Sequence, residues 1–265
     1  MRDGSQSTTR TPYGNTIRAL HALSIASLIL LAPVLLFQGR RVRRLTPRLP
    51  PADGPQDGTI GDGPDPLRLV VVGESTAMGV GVAAHAVGLV GHTARALGSA
   101  MGRPLHWRVL GRGGATGRAL LKEFIAPAPP LDADIFVVIL GVNDTLGFSS
   151  PAGWTRSLDA LLESLRRRSA GAPIVLAAVP PMQHFPALPS PLRQVLGFRA
   201  YVLDRAAIAW AGARQAVAHV PYRFAERAEI PEIFCSDGFH PSALGYQRWG
   251  AALAAAAAAL LRTQQ

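Results

Sequence analysis

The sequence predicts an α/β protein: three layers, α/β/α, around a five-stranded parallel sheet, with one hydrophobic helix added at the N-terminus. Three observations predict it. Five short runs rich in aliphatic and β-branched residues recur between residues 67 and 221, as strands buried on both faces require. Helical stretches separate these runs, as the crossovers of a parallel sheet must. A 19-residue apolar stretch stands apart from them near the start of the chain.

That stretch, Ala19 to Phe37 (ALHALSIASLILLAPVLLF), carries no formal charge when His21 is neutral. At about 1.5 Å per residue it covers roughly 28 Å, close to a bilayer's hydrocarbon core. It predicts a membrane helix over about 19–37, inside an N-terminal segment of residues 1–40. RRVRR follows it where a cleavable signal needs small residues. Arg2, Arg10 and Arg18 precede the span; Arg40, Arg41, Arg43, Arg44 and Arg48 follow it. Three positive charges against five favour the cytoplasmic side for the main domain, with the external side as the alternative. Residues 41–66 hold six prolines and four glycines without a hydrophobic period, and read as a solvated linker.

The domain proper is expected over 67–265. LRLVVVG (67–73) is its first strand, followed by an alanine-rich helix near 82–102. LHWRVLG (105–111) is the second, with a short helix near 116–125. ADIFVVILG (133–141) is the third, and the amphipathic helix over 152–169 ends in Arg166, Arg167 and Arg168, which suit a helix C-terminus. PIVLAAVP (173–180) and QAVAHVP (215–221) complete the sheet around a helix near 190–213. An alanine-rich helix over 242–262 closes the chain.

Composition narrows the function. Hydrophobic residues make up 48% and charged ones 17%, which excludes a disordered chain. The net charge is +10, but eight arginines lie before residue 49 against Asp3 alone. No dense basic stripe is left for the main domain, so nucleic acid is not an expected partner. The single cysteine, Cys235, excludes an internal disulfide and a thiolate zinc site.

Ligands of open parallel sheets bind outside the C-terminal strand ends. There the sequence places Gly73-Glu74-Ser75, Gly111-Arg112-Gly113-Gly114, and Gly141-Val142-Asn143-Asp144, with Asp237-Gly238-Phe239-His240 just before the last helix. Each alone has an ordinary structural use: a helix cap, a turn, an Asx-turn, a packed histidine. Together they supply a nucleophile, a base with an orienting carboxylate, and oxyanion donors. GES at 73–75, GRGGATG at 111–117, GVND at 141–144 and DGFHP at 237–241 stand in one order, and with them the chain resembles the SGNH (GDSL-like) hydrolase family over roughly residues 67–260.

The resemblance implies a flavodoxin-like sheet and a serine esterase that works without metal or cofactor. It makes Ser75 the nucleophile, His240 the base and Asp237 its partner. The Ser75 and Gly114 backbone N–H groups and the Asn143 amide would hold the oxyanion. Glu74 stands where the family usually has aspartate; Asp144 is expected to cap or turn the chain. Met182, His184, Phe185 and Leu188, after the fourth strand, are expected to touch substrate, a small-molecule or lipid ester of short to medium acyl chain. An O-acyltransferase or acetyl esterase acting on a sugar or lipid would use the same residues. A nucleotide-binding flavodoxin-like module is the rival of another class, although GRGGATG lacks the Gly-x-Gly-x-x-Gly spacing. A general α/β-hydrolase is a further rival, with Ala77 where its elbow needs glycine.

Overall fold

The computed structural model describes residues 12–127, 129–222 and 230–264. All five expected strands form and run parallel: β2 (Leu67–Gly73), β3 (Leu105–Gly111), β4 (Ile135–Ile139), β5 (Ile174–Ala177) and β6 (Val217–Val220). A sixth strand, β1 (Asp57–Ile60), joins antiparallel to β3, so the sheet order is β1-β3-β2-β4-β5-β6. The sheet therefore has six strands rather than five. β1 lies within the stretch expected to be a solvated linker. It forms there because β3 would otherwise be an open edge, and Gly58 leaves room for the Trp107 ring, to which a Cβ would come within 2.8 Å. Upstream, the Ala52 and Asp53 N–H groups donate to the Met78 and Ala83 carbonyls, so this part of the linker is docked too.

Helices cover both faces of the sheet. On one face α3 (Leu89–Met101) and α9 (Ala243–Arg262) pack over Leu69, Val71, Ile135, Val137 and Val175. On the other, α4 (Gly117–Leu120, continued by a π turn over Leu121–Ile125), α6 (Pro151–Arg168) and α7 (Leu192–Gly212) cover Val70, Val72, Phe136, Val138 and Leu176. Residues alternate between the two cores along each strand, as the pleat dictates. Short helices α5 (Val142–Leu146) and α8 (Ile230–Ile233) precede α6 and α9 respectively. The alanine richness of α9 has a packing reason: it lies so close to α3 that a Cβ on Gly250 would stand 2.9 Å from His92 Cβ and 3.0 Å from the Thr93 nitrogen.

The chain moves from β2 outward to β3, then returns across β2 to lay down β4. The connections after β2 and β4 leave the sheet in different directions, and a crevice opens between their C-terminal ends.

The N-terminal segment departs most from expectation. It is two helices, α1 (Pro12–Leu30) and α2 (Ala32–Leu45), and from Gly14 onward the pair is bent by 82°. Among the described residues no single helix is long and apolar enough to cross a membrane. The bend falls at Leu31, immediately before Ala32-Pro33, because a proline starts a helix well but clashes inside one. α1 packs on α7, and Leu35 of α2 enters the core beneath it. Gln38 clamps the far end: its Nε2 donates to the Ser190 carbonyl (2.7 Å) and its Oε1 accepts from the Leu192 N–H (3.1 Å).

The close α3–α9 contact gives a direct check of the packing. Gly250→Val should destabilise the fold by about 1–3 kcal/mol through overpacking, read as a lower urea midpoint at unchanged slope. A midpoint equal to that of the unsubstituted protein would mean that the two helices are not held at this distance.

Candidate active site

β2 must end at a glycine. A Cβ on Gly73 would lie 2.5 Å from the Ile139 carbonyl oxygen, so only hydrogen fits between β2 and β4 there. Beyond it the chain coils at once, with the Ala77 and Met78 N–H groups on the Glu74 carbonyl and the Val80 N–H on that of Ser75. This coil holds Ser75 at the mouth of the crevice.

The segment before α9 brings the base to it. Residues 234–241 fold back on themselves: Phe234 bridges Pro241, the Cys235 N–H donates to the His240 carbonyl, and the Gly238 N–H to that of Cys235. Gly238 turns the corner with φ +62°, and any side chain there would meet the Ala187 nitrogen at 2.9 Å. The result lines up three groups. His240 Nε2 lies 2.9 Å from Ser75 Oγ, and His240 Nδ1 lies 2.6 Å from Asp237 Oδ2.

Asp237 is buried and saturated with donors. Its Oδ1 accepts from the Phe239 N–H (2.8 Å), the His240 N–H (2.9 Å) and the Cys235 thiol (2.9 Å). Burial alone would raise the carboxyl's pKa. The hydrogen bonds from His240, Cys235 and the two amides outweigh burial and hold it well below the usual carboxylate range. Cys235 itself stays a thiol, pushed up to about 11 by burial and by the carboxylate it serves. Its part in the site is missed by a count of cysteines; its position two residues before Asp237 is the signal that was available.

The oxyanion side is assembled from β2, the β3–α4 loop and α5. Among the described residues, the Ser75 and Gly114 N–H groups have no hydrogen-bond partner. Gly114 adopts φ +78°, and a Cβ there would meet no atom within 4 Å. Glycine is thus needed for the left-handed backbone rather than for close approach. Asn143 is held by Glu74. The Glu74 carboxylate accepts from the Val142 N–H (3.0 Å), the Asn143 N–H (3.0 Å) and the Asn143 side-chain amide. One N–H of that amide goes to Glu74; an amide nitrogen carries two, and the second remains for a substrate oxygen. Glutamate in place of the family's usual aspartate therefore keeps a tight network, since its longer chain reaches across to the start of α5. Asp144 is also buried and ties two loops together, accepting from the Gly117 N–H (2.9 Å) and the Ser149 hydroxyl (3.1 Å). A phosphate on the GRGGATG loop would meet this carboxylate, which speaks against the nucleotide-binding rival.

A small cavity of about 20 Å³ opens beside Ser75. Val142, Pro180, Phe185, Phe234, Phe239 and Trp249 give it apolar walls. Of the four residues expected to contact substrate, only Phe185 lines it, packed edge-on against Phe234 and Phe239. Met182 is fully buried in the core under α7. Leu188 is buried facing a groove of 390 Å³ between α2 and Ser236-Asp237. His184 is half-buried at the end of a 3-10 turn, away from the lining. After β5 every third side chain, Met182, Phe185 and Leu188, is buried, and those between them are not. Phe234 and Phe239 were missed because their segment reads as the carrier of the histidine alone, and Trp249 because it reads as one residue of an alanine-rich helix.

Burial pushes the Glu74 carboxyl up to about 7, against the opposing pull of its three N–H donors. Below about pH 4.5 it is neutral in both folded and unfolded chains; from there to about 7 the unfolded chain ionises first. Its contribution to stability is therefore full at low pH, falls as pH rises, and levels off above about 7. Between pH 4.5 and 8 the stability of the protein relative to Glu74→Gln should drop by about 2–4 kcal/mol, measured by urea denaturation. Parallel curves would show that the carboxyl is not desolvated.

A family model of the GDSL-like lipase/acylhydrolase family matches residues 71–248. The GDSL-like esterase Rv1075c of Mycobacterium tuberculosis is 30% identical over 196 residues, 69% of this chain. The chain spans 59% of that relative's length. Two solved structures share the fold at low identity. The lipase Lip_vut3 from a goat rumen metagenome superposes with a TM-score of 0.57 at 16% identity, covering 72% of this chain and 97% of its own. A lipase/acylhydrolase from Enterococcus faecalis gives 0.52 at 20%, covering 73% and 96%. With the motif blocks, the six-stranded sheet and the matched span in agreement, the chain belongs to the GDSL-like lipase/acylhydrolase family.

Proposed function

We propose that the protein hydrolyses carboxylic esters of short acyl chain through an acyl-enzyme on Ser75. The observation that carries the reading is the continuous line from Ser75 Oγ through the His240 ring to Asp237, at 2.9 and 2.6 Å. His240 Nε2 takes the Ser75 proton as Oγ bonds to the ester carbonyl carbon, and Asp237 stabilises the imidazolium that results. The carbonyl oxygen becomes an oxyanion, received by the Ser75 and Gly114 N–H groups and the Asn143 amide. His240 then returns the proton to the departing alkoxide, and the alcohol leaves. Water repeats the sequence on the acyl-enzyme, giving up its proton through His240 to Ser75 and releasing the carboxylic acid.

The size of the apolar cavity supports the short-chain part. The cavity is narrow and walled by the Phe185, Phe234 and Phe239 rings, which favours small acyl groups such as acetyl over longer ones. Each further methylene gains about 0.8 kcal/mol only where there is space to bury it.

Ser75→Ala should abolish hydrolysis of aryl acetates while leaving the melting temperature unchanged. Asn143→Ala should lower kcat about 10²–10³-fold with a smaller effect on KM. Retained activity in Ser75→Ala would rule out the covalent route. Phe185→Ala should move the optimum toward longer aryl esters, and an unchanged chain-length profile would mean that the cavity does not receive the acyl group. The same assay with added alcohols reports the acceptor: transesterified product would mark the protein as an acyltransferase.

A further inference from the structure

α1 is apolar nearly all round: Ile17 and Leu28 pack inward against the core, yet its outer face is left uncovered. Its polar side chains His21, Ser24 and Ser27 face inward, Ser24 fully buried within 3.4 Å of the Arg199 guanidinium. From Ala19 onward its exposed positions are Ala19, Ala22, Leu23, Ala26, Ile29 and Leu30, an apolar stripe at helical spacing. Leu23 is 60% exposed, Ile29 72% and Leu30 81%. The stripe continues round the bend onto α2, where Val34, Leu36 and Phe37 are exposed as well. A patch of this kind marks an interaction surface. Past it, Arg40, Arg41, Arg43, Arg44 and Arg48 are all exposed, and no acidic residue is found between Asp3 and Asp53.

From this juxtaposition we propose that the α1–α2 elbow lies in the plane of an anionic lipid bilayer, its apolar stripe in the acyl boundary and its arginines on the headgroups. It replaces the expected transmembrane span and is independent of the ester chemistry. The 82° bend and the docking of α1 on α7 leave no straight apolar rod to cross a bilayer, whereas a helix lying flat needs only one apolar face. Charge decides between the two occupants that would cover such a stripe. A second copy of the chain, paired face to face, would set five arginines beside five more. Anionic headgroups neutralise them, at about 1 kcal/mol per residue near the surface.

The test uses the full chain with vesicles of phosphatidylcholine alone or of phosphatidylcholine mixed with anionic phosphatidylglycerol. Co-flotation should be strong with the anionic vesicles and at least tenfold weaker with the neutral ones. The double variant Ile29→Asp, Leu30→Asp should lose at least tenfold in vesicle affinity while keeping its hydrolysis of soluble esters. Replacing Arg40, Arg41, Arg43 and Arg44 by glutamine should remove the lipid-charge dependence. Leu30→Trp with brominated lipids reports depth: quenching by bromines near the headgroups supports the in-plane placement, and quenching strongest from the bilayer centre overturns it. Absence of flotation also overturns it, and a dimer that the double variant dissolves would assign the stripe to self-association instead.

Discussion

The junction between β2 and β4 at the crevice depends on one buried carboxylate. Glu74 sits at the end of β2, next to Ser75, and its oxygens bind the start of α5 at the end of β4. Those two strands are neighbours in the sheet but 68 and 69 residues separate the bonded groups. The first N–H groups of a helix have no partner within it, and an unpaired carboxylate in this position would cost several kcal/mol. Each side satisfies the other. Because Asn143 is both a donor to Glu74 through its backbone and, through its amide, a candidate oxyanion donor, the bond that closes the sheet's C-terminal edge also sets the angle of that amide.

The base side follows a different logic. Glu74 joins distant segments, whereas Asp237 is served almost wholly by residues within three positions of itself. Its geometry is thus set by a local turn, and the turn is pinned from outside by the Ala187 N–H on the Gly238 carbonyl. Saturating Asp237 Oδ1 with three donors leaves Oδ2 to His240, which fixes the ring orientation that points Nε2 at Ser75.

How much of this was legible in the sequence follows from the range of the interactions. The five parallel strands were, because strands buried on two faces must be continuously apolar, and VVV (70–72) or IFVVI (135–139) has little other use. β1 was not. DGTI carries no hydrophobic run, and what makes it a strand is the open edge of β3 and the ring of Trp107. Ser75, Asp237 and His240 could be picked out because they sit in short motif blocks, GES and DGFHP, through which the chain resembles the GDSL-like family. The partners of Glu74 could not, nor could the Phe185–Phe234–Phe239 cluster that walls the cavity, since their sequence separations carry no period. The N-terminal span finds no single helix to support it among the described residues, for another reason. A hydropathy window counts apolar residues without regard to direction, and Ala19–Phe37 scores as a rod although Pro33 divides it and its serines face the protein.

The Gln38 clamp has a practical bearing on how the molecule can be cut. It is natural to treat residues 1–60 as a dispensable leader and to express the rest. Such a fragment would lose the amide that satisfies the Ser190 carbonyl and the Leu192 N–H at the start of α7, together with the Leu35 side chain from the core. It would also lose β1 and bare the β3 edge, a ready template for pairing with other chains. Gln38, Leu35 and β1 are in this sense a wall of the domain rather than a leader to it.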